Sequence, residues 1–178
     1  MNVFWSQGYN ATALPDLLEA TKLSRGSLYA AFGDKHGLFL QALDRYIADA
    51  LMRMNVELGT ADSPMTGLRT FLEGYVARTG GASGRRGCLL VATAMELAGR
   101  DPEVDRRIGG FFTTTESKIE AALSRAKAAG ELATGCHPAS AARLLVCFVE
   151  GMRVVGKSAP KRETMQMAVD ALVASLSR

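Results

Sequence analysis

The side chains best suited to specific recognition lie in one short segment, residues 24–35. Arg25 carries a guanidinium fork that matches the two acceptors of guanine, and Gly26 lets the backbone approach a surface closely. Ser27 and Tyr29 add hydroxyl groups on neighbouring turns. Such a set predicts contacts with double-stranded DNA, in which Arg25 carries sequence information and other side chains hold phosphates. The predicted DNA-binding residues of this segment are Ser24, Arg25, Gly26, Ser27, Tyr29 and Lys35.

Two helices of two turns each are predicted to position these side chains. The first covers about 13–20, is predicted to be capped by residues 10–12 and has Leu17 among its inward residues. The second covers 25–32, is capped by Ser24 and turns Leu28 inward. Because only three residues join the two helices, the segment is predicted to be a helix-turn-helix.

Beyond this segment the apolar residues repeat with the helical period of 3.6. A long helix follows Asp34, and further helices begin at Ser-Pro, Asp-Pro and His-Pro steps at 63, 101 and 137. The glycine-rich segment 80–87 is predicted to be a flexible break. We therefore expect an all-α protein with a helix-turn-helix domain at 1–46 and a second helical domain at 47–178.

Composition excludes several classes of protein. The chain has 178 residues, of which 48% are hydrophobic and 22% charged, as in an ordinary globular protein. No apolar run approaches the roughly 18 residues that a membrane span needs. Three cysteines are an odd number, which favours a reducing cytoplasm over a disulfide framework. Cys136 beside His137 offers two ligands where a metal site needs more, so we expect no metal, no cofactor and no enzyme activity.

Segments 8–12 (GYNAT) and 23–35 (LSRGSLYAAFGDK) resemble the DNA-binding signature of the TetR family of bacterial transcriptional regulators. The resemblance implies that three N-terminal helices read an operator and that a fourth links them to a ligand-binding and dimerisation domain. It also implies a homodimer, most often a repressor, on palindromic double-stranded DNA. By position, Arg25, Gly26 and Tyr29 would face the bases, and the phosphates would be held by Thr12, Ser27 and Lys35.

Three departures from the family pattern qualify this expectation. Lys22 stands where the family usually has glycine, and Pro15 replaces a polar residue that often contacts the DNA backbone. Residues 1–7 resemble only the second half of the family's first helix, so we expect that helix to be incomplete in this sequence. Residues 1–57 carry five basic and six acidic side chains, a net charge of −1, which is unusual for a DNA reader. The alternative is therefore a helical small-molecule-binding protein of the same fold without operator binding.

Two kinds of effector are consistent with the second domain. A small apolar ligand could enter a pocket lined by aromatic and methionine side chains, although the same residues could simply fill a core. The predicted lining is Phe71, Tyr75, Met95, Phe111, Phe112, Phe148 and Met152.

An electrophile is the second possibility, with Cys88 as its target. This cysteine begins a helix after two arginines, and both features favour thiolate. The tripeptide Gly87-Cys88-Leu89 is similar to the segment around the sensing cysteine of electrophile-responsive TetR-type repressors. The alternative is an ordinary buried cysteine.

The helix around 144–149 is apolar on every side, which favours a self-association face shared with the last helix. Cys147 in this stretch is interpreted as a packing residue. A central helix of a monomeric bundle is the alternative. Glu150 is unusual in such a helix and is interpreted as lining a pocket or pairing with Arg153. A solvated position at the edge of the dimer face is the alternative.

Overall fold

The computed structural model describes residues 1–59 and 63–178, which form nine α-helices and one 3-10 helix without a named strand. The prediction of an all-α protein is confirmed. None of the described helices is long and apolar enough to cross a membrane. The α-helices are α1 (Asn2–Gln7), α2 (Leu14–Thr21), α3 (Arg25–Phe32), α4 (Lys35–Gly59), α5 (Pro64–Thr79), α6 (Leu89–Leu97), α7 (Pro102–Ala128), α8 (Pro138–Gly156) and α9 (Arg162–Leu176).

Local capping residues set where several helices begin, as the sequence predicts. The Ser24 hydroxyl accepts a hydrogen bond from the backbone N–H of Ser27 at 3.1 Å, at the start of α3. The Asp34 carboxylate accepts from the N–H of Gly37 at 2.7 Å, at the start of α4. These bonds satisfy N–H groups that have no partner within the helix.

Helix α2 begins differently from the prediction. Its N-cap is Ala13, whose own N–H donates to the carboxylate of Asp16 at 3.0 Å. The cap is therefore made by a side chain of the first turn and not by the polar residues 10–12. Pro15 lies within the first turn, where a missing N–H costs nothing.

The chain divides into two compact units, and the first comprises Met1–Asp49 and Cys88–Gly109. It holds α1 to α3, the first part of α4, α6 and the beginning of α7. Its core is built by apolar side chains from all of these helices, and the fully buried ones include Phe4, Leu17, Leu28, Phe39, Leu43, Leu90 and Val104.

The second unit comprises Ala50–Gly87 and Gly110–Arg178. Its core is a cluster of buried side chains from α5, α7, α8 and α9, including Leu72, Leu123, Leu145 and Val169.

The segment predicted as a flexible break contains a 3-10 helix at Gly81–Arg86. A β-carbon at Gly84 would lie 2.1 Å from the Thr79 oxygen, so this segment packs too closely for a side chain there.

Candidate functional site

The first two turns of α3 present an exposed polar surface. Ser24, Arg25, Gly26 and Ser27 are exposed, and Tyr29 is 41% exposed. The Arg25 guanidinium lies 5.9 Å from the centre of the Tyr29 ring. On the opposite side of the helix Leu28 is fully buried, which fixes the orientation of the polar face.

A strained turn connects α2 to α3. Lys22 adopts the left-handed conformation, with φ 58° and ψ 20°, and its N–H donates to the Leu18 carbonyl at 2.9 Å. This conformation costs a residue other than glycine about 1 kcal/mol. The turn therefore keeps the geometry of a helix-turn-helix although it lacks the usual glycine.

Lys35 and Thr12 form an internal contact. The ammonium of Lys35 donates to the Thr12 carbonyl at 2.8 Å and lies 4.5 Å from the centre of the Tyr9 ring. Thr12 is 1% exposed, and its hydroxyl donates to the Gly8 carbonyl at 2.5 Å. The Thr12 hydroxyl is therefore buried and closes the turn before α2, and the phosphate contact of Thr12 stays a prediction.

Glu96 on α6 holds the turn between α1 and α2. Its carboxylate accepts hydrogen bonds from the backbone N–H groups of Tyr9 at 2.9 Å and Asn10 at 2.6 Å. Gly8 has a φ of +84°, and a β-carbon there would lie 2.9 Å from Glu96. Sequence reasoning missed this residue, because its partners lie 86 and 87 positions away along the chain.

The start of α7 makes two further polar contacts within the first unit. His36 Nε2 lies 2.6 Å from the Asp101 carboxylate. Burial alone would raise the pKa of Asp101, but hydrogen bonds from His36 and from the backbone of Val104 and Glu103 outweigh it, so that pKa is lowered. Arg107 donates to Asp44 on α4 at 2.7 Å. Residues 88–109 thus hold the turn between α1 and α2 and the first part of α4. These two segments lie directly before α2 and directly after α3.

Cys88 is a buried thiol at the N-cap of α6. It is 5% exposed, and its sulfur lies 3.1 Å from the hydroxyl oxygen of Tyr46 on α4. An alkyl group added to this sulfur would find little free volume, and it would separate the thiol from Tyr46.

A cavity of about 10 Å³ lies inside the second unit. Of the predicted pocket residues, Phe71, Tyr75 and Phe111 line it. The full lining is Ala50, Arg53, Met54, Glu57, Phe71, Tyr75, Arg78, Phe111 and Arg153.

The remaining predicted pocket residues do not line this cavity. Met152 is buried in the core of the second unit, and Phe112 and Phe148 are half-buried. Met95 belongs to the first unit and is 84% exposed. The prediction that Met95 lines an enclosed pocket is wrong, because it lies on the exposed face of α6.

Two arginines surround the ring of Tyr75, and sequence reasoning placed neither in the pocket. The guanidinium carbons of Arg78 and Arg153 each lie 4.7 Å from the ring centre. Arg153 also donates a hydrogen bond to Tyr75, and Arg78 donates to the Glu57 carboxylate at 2.6 Å. Burial raises the pKa of Tyr75, although Arg153 opposes the shift, so the phenol stays neutral.

Glu150 lies beside Arg153 on α8, as the sequence interpretation allowed. The closest approach is 3.6 Å, from Arg153 Nε to Glu150 Oε2, which is too long for a good hydrogen bond. Both carboxylate oxygens are buried without a hydrogen-bond partner. Burial raises the pKa of Glu150, and the charge of Arg153 opposes that shift.

Several large apolar side chains of α8 and α9 face outward. Leu144, Val154, Val155 and Met167 are between 53% and 71% exposed. Cys147, interpreted from the sequence as a packing residue, is exposed within this chain.

An exposed polar helix in a helix-turn-helix, on a chain with a second helical unit, is typical of a DNA-binding regulatory protein. Residues 1–42 match the family described as "Bacterial regulatory proteins, tetR family", and residues 64–172 match "Tetracyclin repressor-like, C-terminal domain". The chain belongs to the TetR family. It is accordingly a transcriptional regulator and not an enzyme.

Individual proteins give the same result. The chain is 28% identical over 173 residues to the HTH-type transcriptional repressor ComR of Escherichia coli K12, covering 94% of this chain and 81% of ComR. It is 30% identical over 136 residues to the transcriptional regulator YezE of Bacillus subtilis 168, covering 74% and 68% of the two chains. A cysteine mutant of the TetR-family regulator CifR, solved with 26 bp of operator DNA, aligns with a TM-score of 0.84 and 30% identity, covering 98% of this chain and 91% of CifR.

Proposed function

We propose that this regulator is a repressor that acts in the cytoplasm as a homodimer on a palindromic operator and responds to a small effector. The DNA-binding domain is assigned to 1–46 and the ligand-binding and dimerisation domain to 47–178. The observation that carries the proposal is the exposed N-terminal face of α3, where Arg25, Gly26, Ser27 and Tyr29 are accessible while Leu28 is fully buried. Arg25 and Tyr29 are assigned to base edges, and Ser24, Ser27 and Lys35 to phosphates.

Operator binding is tested by fluorescence anisotropy with a palindromic fragment from upstream of the protein's own gene. We expect salt-sensitive, sequence-selective binding, and Arg25→Ala should cost about 1–3 kcal/mol and relax specificity. Arg45→Ala is the matched control, since Arg45 is an exposed arginine on α4 paired with Asp49. A titration without sequence selectivity would favour the alternative, a helical small-molecule-binding protein of this fold without operator binding.

The exposed apolar residues of α8 and α9 support the homodimer. Covering Leu144, Val154 and Met167 with a second copy would remove apolar surface from water. Two recognition helices fit successive major grooves only at a separation of about 34–36 Å, so such a dimer is required for a palindrome. Val154→Glu should produce monomers in sedimentation velocity, whereas Met52→Glu, an exposed apolar position on α4, should not. A monomeric wild-type protein at micromolar concentration would exclude the dimer.

The cavity side chains Phe71, Tyr75 and Phe111 support a ligand response, and Cys88 supports a second candidate, the electrophile response. Alkylation would overpack the buried contact between Cys88 and Tyr46 and displace α4, at a cost of about 1–3 kcal/mol. N-ethylmaleimide should then release operator DNA from the wild type and from Cys147→Ser, but not from Cys88→Ser. Release that persists in Cys88→Ser would remove Cys88 as the sensor.

A further inference from the structure

The cavity of the second unit has an excess of positive charge. Among the described residues that line it, three are arginines and one, Glu57, carries a carboxylate. Glu57 is already engaged, because Arg78 donates to both of its oxygens, at 2.6 and 3.4 Å. The arginine that lies deepest is Arg153, which is 9% exposed.

The polar groups around this cavity are incompletely hydrogen bonded. The Nε of Arg78, which lines the cavity, is buried without a hydrogen-bond partner. Both oxygens of Glu150 are also unpartnered, but Glu150 does not line the cavity and lies 3.6 Å from Arg153. Buried charged groups are stabilised by close hydrogen bonds, and an arrangement that lacks them is costly. The unpartnered N–H of Arg78 at the cavity wall indicates a site whose polar contacts are completed by a bound hydrogen-bond acceptor.

We propose that this cavity binds a small monocarboxylate, whose carboxylate is held by Arg153 and the Tyr75 hydroxyl and whose apolar part contacts Phe71 and Phe111. The inference rests on the proposed function, since it names the chemical class of the effector. A single buried arginine with a neutral phenol matches one negative charge in a bidentate geometry. Three arginines disfavour a cationic ligand.

The size of the cavity indicates that binding is coupled to movement. About 10 Å³ holds one water molecule, so a carboxylate with a carbon chain has to displace the walls. Met54 is the most adaptable of them, because its side chain is unbranched and flexible. Ala50, Arg53, Met54 and Glu57 all belong to α4, the helix that begins at Lys35, the last residue of segment 24–35. A ligand that opens this cavity therefore acts directly on α4.

The first test uses the purified full chain and no variant. Propionate, butyrate and benzoate are compared with propionamide, butyramide and benzamide by thermal shift and isothermal titration calorimetry. Each pair has nearly the same shape and differs in charge. We expect each carboxylate to bind about 10- to 100-fold more tightly than its amide, the range for a charge-assisted hydrogen bond in a buried site.

Variants then locate the site. The double variant Arg153→Met with Glu150→Gln removes the charged pair with little change of volume, and it should abolish the preference for carboxylates. Tyr75→Phe removes only the hydroxyl and should weaken carboxylate binding about three- to tenfold. Arg143→Met is the matched control on the same helix, since Arg143 is 74% exposed and pairs with Glu116, and it should leave binding unchanged.

The outcomes separate this inference from the proposed function. Amides that bind as tightly as carboxylates, a preference that survives in the double variant, or no binding of any carboxylate would each overturn the inference. Release of operator DNA by neutral ligands alone would overturn it too, while supporting a ligand-responsive repressor. Carboxylates that bind through Arg153 without changing operator affinity would support the site and contradict its effector role.

Discussion

Two glutamates, one in each compact unit, show how differently the units use buried or half-buried charge. Glu96 in the first unit accepts two backbone hydrogen bonds, at 2.9 and 2.6 Å, and so fixes the turn before α2. Glu150 in the second unit accepts none and lies 3.6 Å from the nearest arginine nitrogen. The first arrangement suits a unit that must present DNA-binding helices in one geometry. The second leaves a buried carboxylate without a fixed hydrogen bond.

The largest expected effect comes from breaking the pair in the second unit. Arg153→Met leaves the Glu150 charge buried without a counter-charge, and we expect it to lower the free energy of unfolding by about 3–5 kcal/mol. Urea denaturation measures this loss. Adding Glu150→Gln should restore most of it. If the single and double variants are equally unstable, the loss comes from packing and the comparison between the two glutamates fails.

A smaller effect is expected in the first unit from Glu96→Ala. Two backbone N–H groups lose a charged acceptor, which should cost about 1.5–3 kcal/mol. Hydrogen exchange should accelerate most at the amides of Tyr9 and Asn10. Glu19→Ala, an exposed glutamate on α2, is the control and should leave both amides protected. Unchanged exchange at Tyr9 and Asn10 in Glu96→Ala would show that Glu96 does not hold the turn.

The pH dependence of stability tests the burial of Glu150. Because the pKa of Glu150 is raised above its ordinary value of 4.5, the folded protein keeps a proton that the unfolded chain releases above that pH. Its contribution to the free energy of unfolding therefore falls as pH rises through the window from 4.5 up to the raised pKa. The difference in stability between wild type and Glu150→Gln should fall in the same window, measured by urea denaturation at several pH values. A constant difference would contradict the raised pKa.

The smallest expected effect is a gain of stability in the first unit. Lys22→Gly relieves the left-handed backbone and should raise the free energy of unfolding by about 0.5–1 kcal/mol. The same change at Lys118, inside α7, should lower stability by about 1 kcal/mol. A loss at Lys22 would mean that its side chain stabilises the turn more than its backbone strains it.

Short-range contacts and contacts between distant segments differ in how far the sequence predicts them. Ser24 and Asp34 cap helices whose N–H groups lie three residues away, so short-range patterns identified them. The family resemblance places Lys22 where glycine is usual, which agrees with its left-handed backbone. The family resemblance supplied the order of the domains and the exposed face of α3.

Contacts between distant segments escaped sequence reasoning. Glu96 and Asp101 reach partners 65 to 87 positions away, and no local pattern marks them. Residue type does not show which side of a turn or helix is covered, so it indicates neither the burial of Thr12 nor the exposure of Met95. In the second unit, aromatic residues indicated a pocket. Of the two arginines beside Tyr75, Arg153 comes from α8, a helix with few charged residues, and no local pattern links it to Tyr75.

Because α4 runs unbroken from Lys35 to Gly59 while the boundary between the units falls after Asp49, any chimera with another regulator must be spliced inside a helix. One added residue at that junction would rotate everything beyond it by about 100°. Segment 88–109 would have to travel with the recognition helices, since it belongs to their unit. A working hybrid therefore needs three junctions, after Asp49, Gly87 and Gly109, and a simple exchange of halves would separate Glu96 from the turn that it holds.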